Sequence, residues 1–274
     1  MKTINYTTKS LHLKPLATLL STLFVIVLAI LTTTSTIAQT TALNPVPRKD
    51  GGWCSRFVTS IEQMDKGDID LLMIGDSITH GWDNKEGNEI WKKYYGHRKP
   101  INLGISGDQT QHVLWRLDHL PLQKINPKVA VIMIGTNNIG SKSSTPKETA
   151  DGIKAIVEKL KNVPKIMRVY SGITSDVSEI KFAGDIKIIV LHVFPRDEKP
   201  DGALRKKVDE INSLLPDMFK NDPNVKLLDI NKVFLAEDGV LPKSIMPDSL
   251  HPNKAGYQLW ADALEPALVE FFGK

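Results

Sequence analysis

Cysteine is almost missing from this chain. Of 274 residues one is cysteine, Cys54, so no internal disulfide can form and the fold has to hold by burial and hydrogen bonding. Cys54 stands in an amphipathic stretch with Trp53, Phe57 and Ile61, where a structural thiol is expected rather than a nucleophile. Metal and nucleotide signatures are missing as well: there is no His-Glu-x-x-His, no Cys/His cluster and no P-loop, so no cofactor and no metal is implied. The Gly-x-Ser-x-Gly elbow of the α/β-hydrolases does not occur either.

A surplus of charge of one sign is absent once the N-terminus is set aside. The chain as a whole carries +4 and has a pI near 8.9. Lys2, Lys9 and Lys14 precede an apolar stretch, Leu16 to Leu31, and a Ser/Thr-rich segment then ends at Ile37-Ala38-Gln39 with Thr36 and Ala38 as small residues. That is the pattern of a cleavable signal peptide over residues 1–38, with the cut before Gln39. The alternative is an uncleaved N-terminal membrane anchor, because the apolar core is close to the shortest spanning helix, about 17 residues. The small-residue exit favours cleavage, which makes the protein secreted or periplasmic with no stable membrane association. Without residues 1–38 there remain 32 basic and 31 acidic residues. No Lys/Arg cluster is interleaved with aromatics, so nucleic acid is not an expected partner. No repeat or linker divides residues 39–274, which read as one domain. Nothing in the pattern specifies an oligomeric state.

What is there is alternation. Apolar runs at 69–74, 100–103, 129–134, 187–193 and 225–230 lack strict polar alternation, as strands covered on both faces do. Helical patterns lie between them. Thr145-Pro146-Lys147-Glu148 is a capping box with proline at the first helical position, followed by Ile153, Ile156, Val157 and Leu160 on one face. Leu204 to Phe219 and Ala255 to Phe272 give two more helices. The expected class is α/β: a parallel sheet between helical layers, with ligands at the carboxyl ends of the strands.

Three motifs follow strands directly. The run Leu71-Leu-Met-Ile-Gly-Asp-Ser77 ends in a polar turn that presents a serine hydroxyl; Asn102-Leu-Gly104 and Gly135-Thr-Asn137 end the next two strands. A fourth, Asp248-Ser-Leu-His251, lies between Pro247 and Pro252. Serine needs a base to take its proton, and the base works best with a carboxylate holding its tautomer. Asp248 and His251 supply that pair for Ser77. Acyl transfer also needs donors aimed at an oxyanion, for which the candidates are the Ser77 and Gly104 backbone N–H groups and the Asn137 amide. Asp76 is expected to hold the turn rather than act as a base; with His80 and Trp82 it is a candidate to line the substrate cleft.

Together Gly75-Asp76-Ser77, Gly104, Gly135-x-Asn137 and Asp248-x-x-His251 resemble the four blocks of the SGNH (GDSL-type) hydrolases. Gly75-Asp-Ser-Ile-Thr-His-Gly-Trp82 and Asn102-Leu-Gly-Ile-Ser-Gly-Asp-Gln-Thr-Gln-His-Val-Leu-Trp115 resemble the branch that holds the platelet-activating-factor acetylhydrolase catalytic subunits and exported bacterial esterases. The resemblance implies a three-layer αβα, flavodoxin-like sheet of five parallel strands in the order 2-1-3-4-5. It also implies Ser77 as nucleophile, His251 as base, Asp248 as its orienter and an oxyanion hole at Ser77, Gly104 and Asn137. The expected function is hydrolysis of short acyl esters, above all acetyl, through an acyl-enzyme on a small-molecule or glycan substrate, with O-acetylated carbohydrate as the favoured target. A lipase or lysophospholipase of the same mechanism is the alternative and a non-catalytic binding protein a remoter one. Residues 163–185 depart from that pattern as an insertion before the fourth strand, either a hairpin or flap near the site or surface decoration.

Overall fold

A strand with apolar side chains on both faces belongs in the middle of a layered sheet. Residues Leu71–Gly75 form such a strand, β1, buried at every position. In the computed structural model, which describes residues 41–170, 177–183 and 186–273, β1 pairs in parallel with β2 (Pro100–Gly104) on one side and β3 (Val129–Met133) on the other. The signal peptide expected over residues 1–38 lies outside the described residues.

Two strands in the segment flagged as an insertion, β4 (Pro164–Tyr170) and β5 (Val177–Ala183), pair antiparallel with each other and form a separate hairpin. The main sheet continues with β6 (Lys187–Leu191) against β3 and β7 (Val225–Leu228) against β6, again in parallel. Its order is β2-β1-β3-β6-β7, the expected five-strand arrangement once the hairpin is set aside. Two strands, β6 and β7, stop two residues short of their apolar runs. After β6 the Val193 N–H and C=O are taken by the Asn212 side chain at 2.8 and 2.9 Å, and after β7 Asp229 turns the chain by accepting from the Asn231 N–H at 2.9 Å.

Alternate strand residues face the two helical layers. Leu72, Ile74, Ile132 and Val190 pack with α1 (Gly51–Asp65), α4 (Thr110–His119), α6 (Pro146–Lys161) and α7 (Ala203–Phe219). Leu71, Met73, Val131 and Ile189 pack with α3 (Asn88–Tyr95) and α8 (Lys254–Phe272). Each such side chain contributes about 1.5–3 kcal/mol by leaving water. α6 starts as its sequence predicts: the Glu148 N–H donates to Thr145 Oγ1 at 3.2 Å and the Thr145 N–H to Glu148 Oε2 at 2.8 Å. Cys54 differs from expectation, lying exposed on α1, because the buried stripe of that helix runs through Trp53, Ser60 and Met64. The remaining helices are short and sit at strand ends: α2 (Ser77–His80) after β1 and α5 (Thr136–Gly140) after β3.

Candidate active site

Ser77 is the first residue of α2, directly past the carboxyl end of the central strand. Asp76 caps it, its Oδ1 accepting the Ile78 N–H at 3.0 Å. From α8, Tyr257 donates its hydroxyl to the Ile78 carbonyl at 2.8 Å. The serine is thereby held between the sheet and the last helix, half-buried.

Across from it, His251 Nε2 lies 2.8 Å from Ser77 Oγ, and His251 Nδ1 lies 2.6 Å from Asp248 Oδ2. The turn that makes this possible is local. Asp248 Oδ1 accepts the N–H groups of Leu250 and His251 at 3.1 and 2.7 Å, and Ser249 takes a left-handed φ of 58°. With Nδ1–H given to the carboxylate, the bare Nε2 faces the hydroxyl and can accept its proton. Partial burial alone would raise the Asp248 carboxyl, but the hydrogen bonds from the His251 ring and backbone hold it below its usual range.

The oxyanion side corrects one expectation. The Gly104 N–H is already spent on Asn102 Oδ1 at 2.9 Å, and Gly104 is buried where α2 passes: a Cβ there would stand 2.3 Å from the His80 nitrogen. Gly104 is a close-approach residue, not a free donor. Three residues on, Gly107 is exposed with φ +81°, and among the described residues its N–H has no partner. The Ser77 N–H is likewise unclaimed among them. Asn137, in the first turn of α5, gives one Nδ2 hydrogen to the Asp108 carbonyl at 2.9 Å, and among the described residues its other has no partner.

Beneath this loop lies a buried network that sequence reasoning missed. Asp108, fully buried, accepts Trp53 Nε1–H at 2.7 Å and Arg116 Nε–H at 2.9 Å. Arg116, 1% exposed, also donates to the Leu103 carbonyl at 2.9 Å and reaches the Gly75 carbonyl at 3.5 Å. One ion pair therefore ties the ends of β1 and β2 to the loop that holds Asn137. Desolvation pushes the Asp108 carboxyl up despite the Arg116 charge beside it. A second Gly-Asp after a strand, Gly107-Asp108, was the available signal.

Of the three residues expected to line the cleft, one does. His80 borders a pocket of about 370 Å³ with Ser77, Asp83, Asn84, Ser106 and His251. Its imidazole is held below its ordinary value by burial and then by the Arg56 charge. Asp76 is fully buried under α2, and desolvation raises its carboxyl to about 7. Trp82 is also fully buried, its ring packed against Trp91, Tyr95, Tyr257 and Trp260 at 4.5–6.1 Å between centroids. Neither contacts the pocket: Asp76 faces inward to cap α2, and Trp82 fills the core between α3 and α8.

With this geometry in place, similarity to known proteins decides the class. The model of the GDSL-like lipase/acylhydrolase family matches residues 73–259. The chain belongs to that family and is a carboxylic ester hydrolase. Platelet-activating factor acetylhydrolase IB subunit alpha2 of Rattus norvegicus is 35% identical over 208 residues, covering 76% of this chain and 80% of the relative. The alpha1 subunit of the same organism is 32% identical over 228 residues, covering 82% and 86%. Among solved structures, a GDSL-like lipase from Bacteroides thetaiotaomicron shares the fold at TM-score 0.57 and 19% identity, covering 79% of this chain and 97% of its own. An acetylxylan esterase from Geobacillus stearothermophilus does so at TM-score 0.52 and 19% identity, covering 76% and 95%.

Proposed function

We propose that this ester hydrolase removes short acyl groups, above all acetyl, from O-acetylated carbohydrate, with Ser77 as nucleophile. The observation that carries the mechanism is the continuous chain Ser77 Oγ to His251 Nε2 at 2.8 Å and His251 Nδ1 to Asp248 at 2.6 Å, opening on one pocket. Ser77 Oγ attacks the ester carbonyl as its proton passes to His251 Nε2. Collapse of the tetrahedral intermediate breaks the bond to the alcohol, which leaves with the proton from His251. Water then gives a proton to His251, attacks the acyl-serine and releases the acid and Ser77.

For the oxyanion we assign the Ser77 N–H, the second Nδ2 hydrogen of Asn137 and the N–H of Gly107 in place of Gly104, since of the two glycines Gly107 is the one whose N–H is unclaimed among the described residues. The pocket offers polar groups for the alcohol at His80, Asp83, Asn84 and Ser106 beside an apolar wall of Gly81, Pro252 and Tyr257, and its volume of about 370 Å³ suits a small acyl group. The relatives named acetylhydrolase and the fold neighbour named acetylxylan esterase point the same way. With a leader expected at residues 1–38, the substrate is one met outside the cytoplasm.

Initial rates on p-nitrophenyl esters from acetyl to dodecanoyl test this reading. Rates are expected to fall steeply beyond propionyl, and Ser77→Ala to lose about 10⁴-fold or more in kcat. A maximum at long chains would move the assignment to lipid substrates. Turnover that survives Ser77→Ala would remove Ser77 as nucleophile.

A further inference from the structure

Arg48 lies ahead of the stretch matched by the family, residues 73–259, yet its side chain reaches the oxyanion loop. Its Nη1–H donates to the Ser106 carbonyl at 2.5 Å. Its Nη2 is held by Asp50 at 2.8 Å, and the same Nη1 stands 3.7 Å from Asp108 Oδ1. It packs so closely on Gly107 that a Cβ there would come within 2.7 Å of Arg48 Nη1.

The Ser106 C=O and the Gly107 N–H are the two ends of one peptide group. A charged donor on the oxygen draws electron density through the amide, which makes the N–H at the other end a stronger and better-aimed donor. Asp50 and Asp108 offset the net charge of the guanidinium, so what reaches the site is the oriented hydrogen bond rather than a free cation.

We propose that Arg48 is a positioning residue for the reaction: it acts through the Ser106–Gly107 peptide to strengthen the oxyanion hole. The proposal rests on the assignment of Gly107 as an oxyanion donor. Because a neutral ester carbonyl gains less from that donor than the tetrahedral oxyanion does, the contribution falls on kcat and leaves KM nearly unchanged. The glycine at position 107 is favoured by its left-handed backbone, φ +81°.

The test compares Arg48→Met, Arg48→Gln and Arg48→Lys with the unaltered protein on p-nitrophenyl acetate, beside inhibition by a short alkyl boronic acid. The boronate adduct of Ser77 is a tetrahedral anion and reads the oxyanion hole directly. One direct donor is worth about 10²–10³ in rate, and Arg48→Met, which acts at one remove, is expected to lose about tenfold in kcat with KM within about twofold. Boronate affinity should weaken in parallel. Lys, which keeps a cation in place, should lose least and Gln an intermediate amount, and the neutral Gln also answers the question should Met fail to fold. If Met or Gln leaves both kcat and boronate affinity at the original level, the proposal is overturned. It is equally overturned if kcat falls while boronate affinity holds. Ser77→Ala run alongside separates the two readings: turnover that persists there defeats the parent assignment, whereas Ser77-dependent turnover indifferent to Arg48 defeats this proposal alone.

Discussion

On one side of the cleft, His251 and Asp248 sit three residues apart in a turn that makes its own hydrogen bonds, with side chains 41% and 56% exposed. On the other, the loop that carries Gly107 rests on Asp108, fully buried and reached by Trp53 from α1 and Arg116 from α4. In the proposed reaction His251 must move a proton and meet water in the second half, so an exposed, locally built turn suits it. The oxyanion donors proposed on the other side have to stand still before charge develops, and a buried ion pair fixed to two strand ends suits that role.

The comparison breaks most clearly under paired substitutions. Asp248→Asn keeps an Oδ1 for the Leu250 and His251 N–H groups but cannot hold the His251 tautomer. It is expected to cost up to about 10⁴ in kcat while the melting temperature stays nearly unchanged, as for other exposed sites. Asp108→Ala leaves Arg116 charged and unpaired in the interior, at a cost of about 3–5 kcal/mol in stability, and should lower kcat as well. Thermal melts of the two variants beside their rates decide it. Equal destabilisation by both would mean that the two sides are not built differently.

This contrast also explains what could be read from the sequence. Strand runs and Asp-x-x-His251 were legible because period and spacing are local properties: the central strand shows its burial in Leu71-Leu-Met-Ile74, and the histidine pair needs one turn. The choice between Gly104 and Gly107 was not legible. It depends on where the Asn102 side chain points, and only packing settles that. Trp82 misled for the same reason, since nothing near it in sequence announces that Tyr257 and Trp260 of the last helix close over its ring. Arg48 and Trp53 gave no motif at all, because their partners lie in a loop more than fifty residues away.

Asp76 sharpens the comparison inside the nucleophile's own support. Its Oδ1 caps α2, but Oδ2 is buried with no partner among the described residues. Desolvation raises the carboxyl from its usual 3.8 to about 7, so the folded state holds the proton more tightly than the unfolded chain. The contribution to stability is then complete below about pH 4 and is lost as pH rises through about 7. Asp76→Asn keeps the capping oxygen and removes the titration. Its melting temperature relative to the unaltered protein should improve from pH 5 to pH 8, by an amount worth a few kcal/mol at most. A difference that stays flat across that range would show that the carboxyl titrates normally.

The smallest effect is expected at Trp82, where a buried core ring stands in for a supposed pocket wall. Trp82→Phe removes part of an aromatic cluster whose centroids lie 4.5–6.1 Å apart and should cost about 1–2 kcal/mol in stability. Part of the packing loss is offset, because the indole N–H has no acceptor among the described residues and an unsatisfied buried donor is itself costly. Since the ring does not border the pocket that holds Ser77 and His251, KM for acetyl esters should not move. A KM shift of several-fold at an unchanged melting temperature would return Trp82 to the substrate. A lowered melting temperature at constant KM would show that Trp82 serves the core between α3 and α8 and leaves substrate binding to the residues that border the pocket.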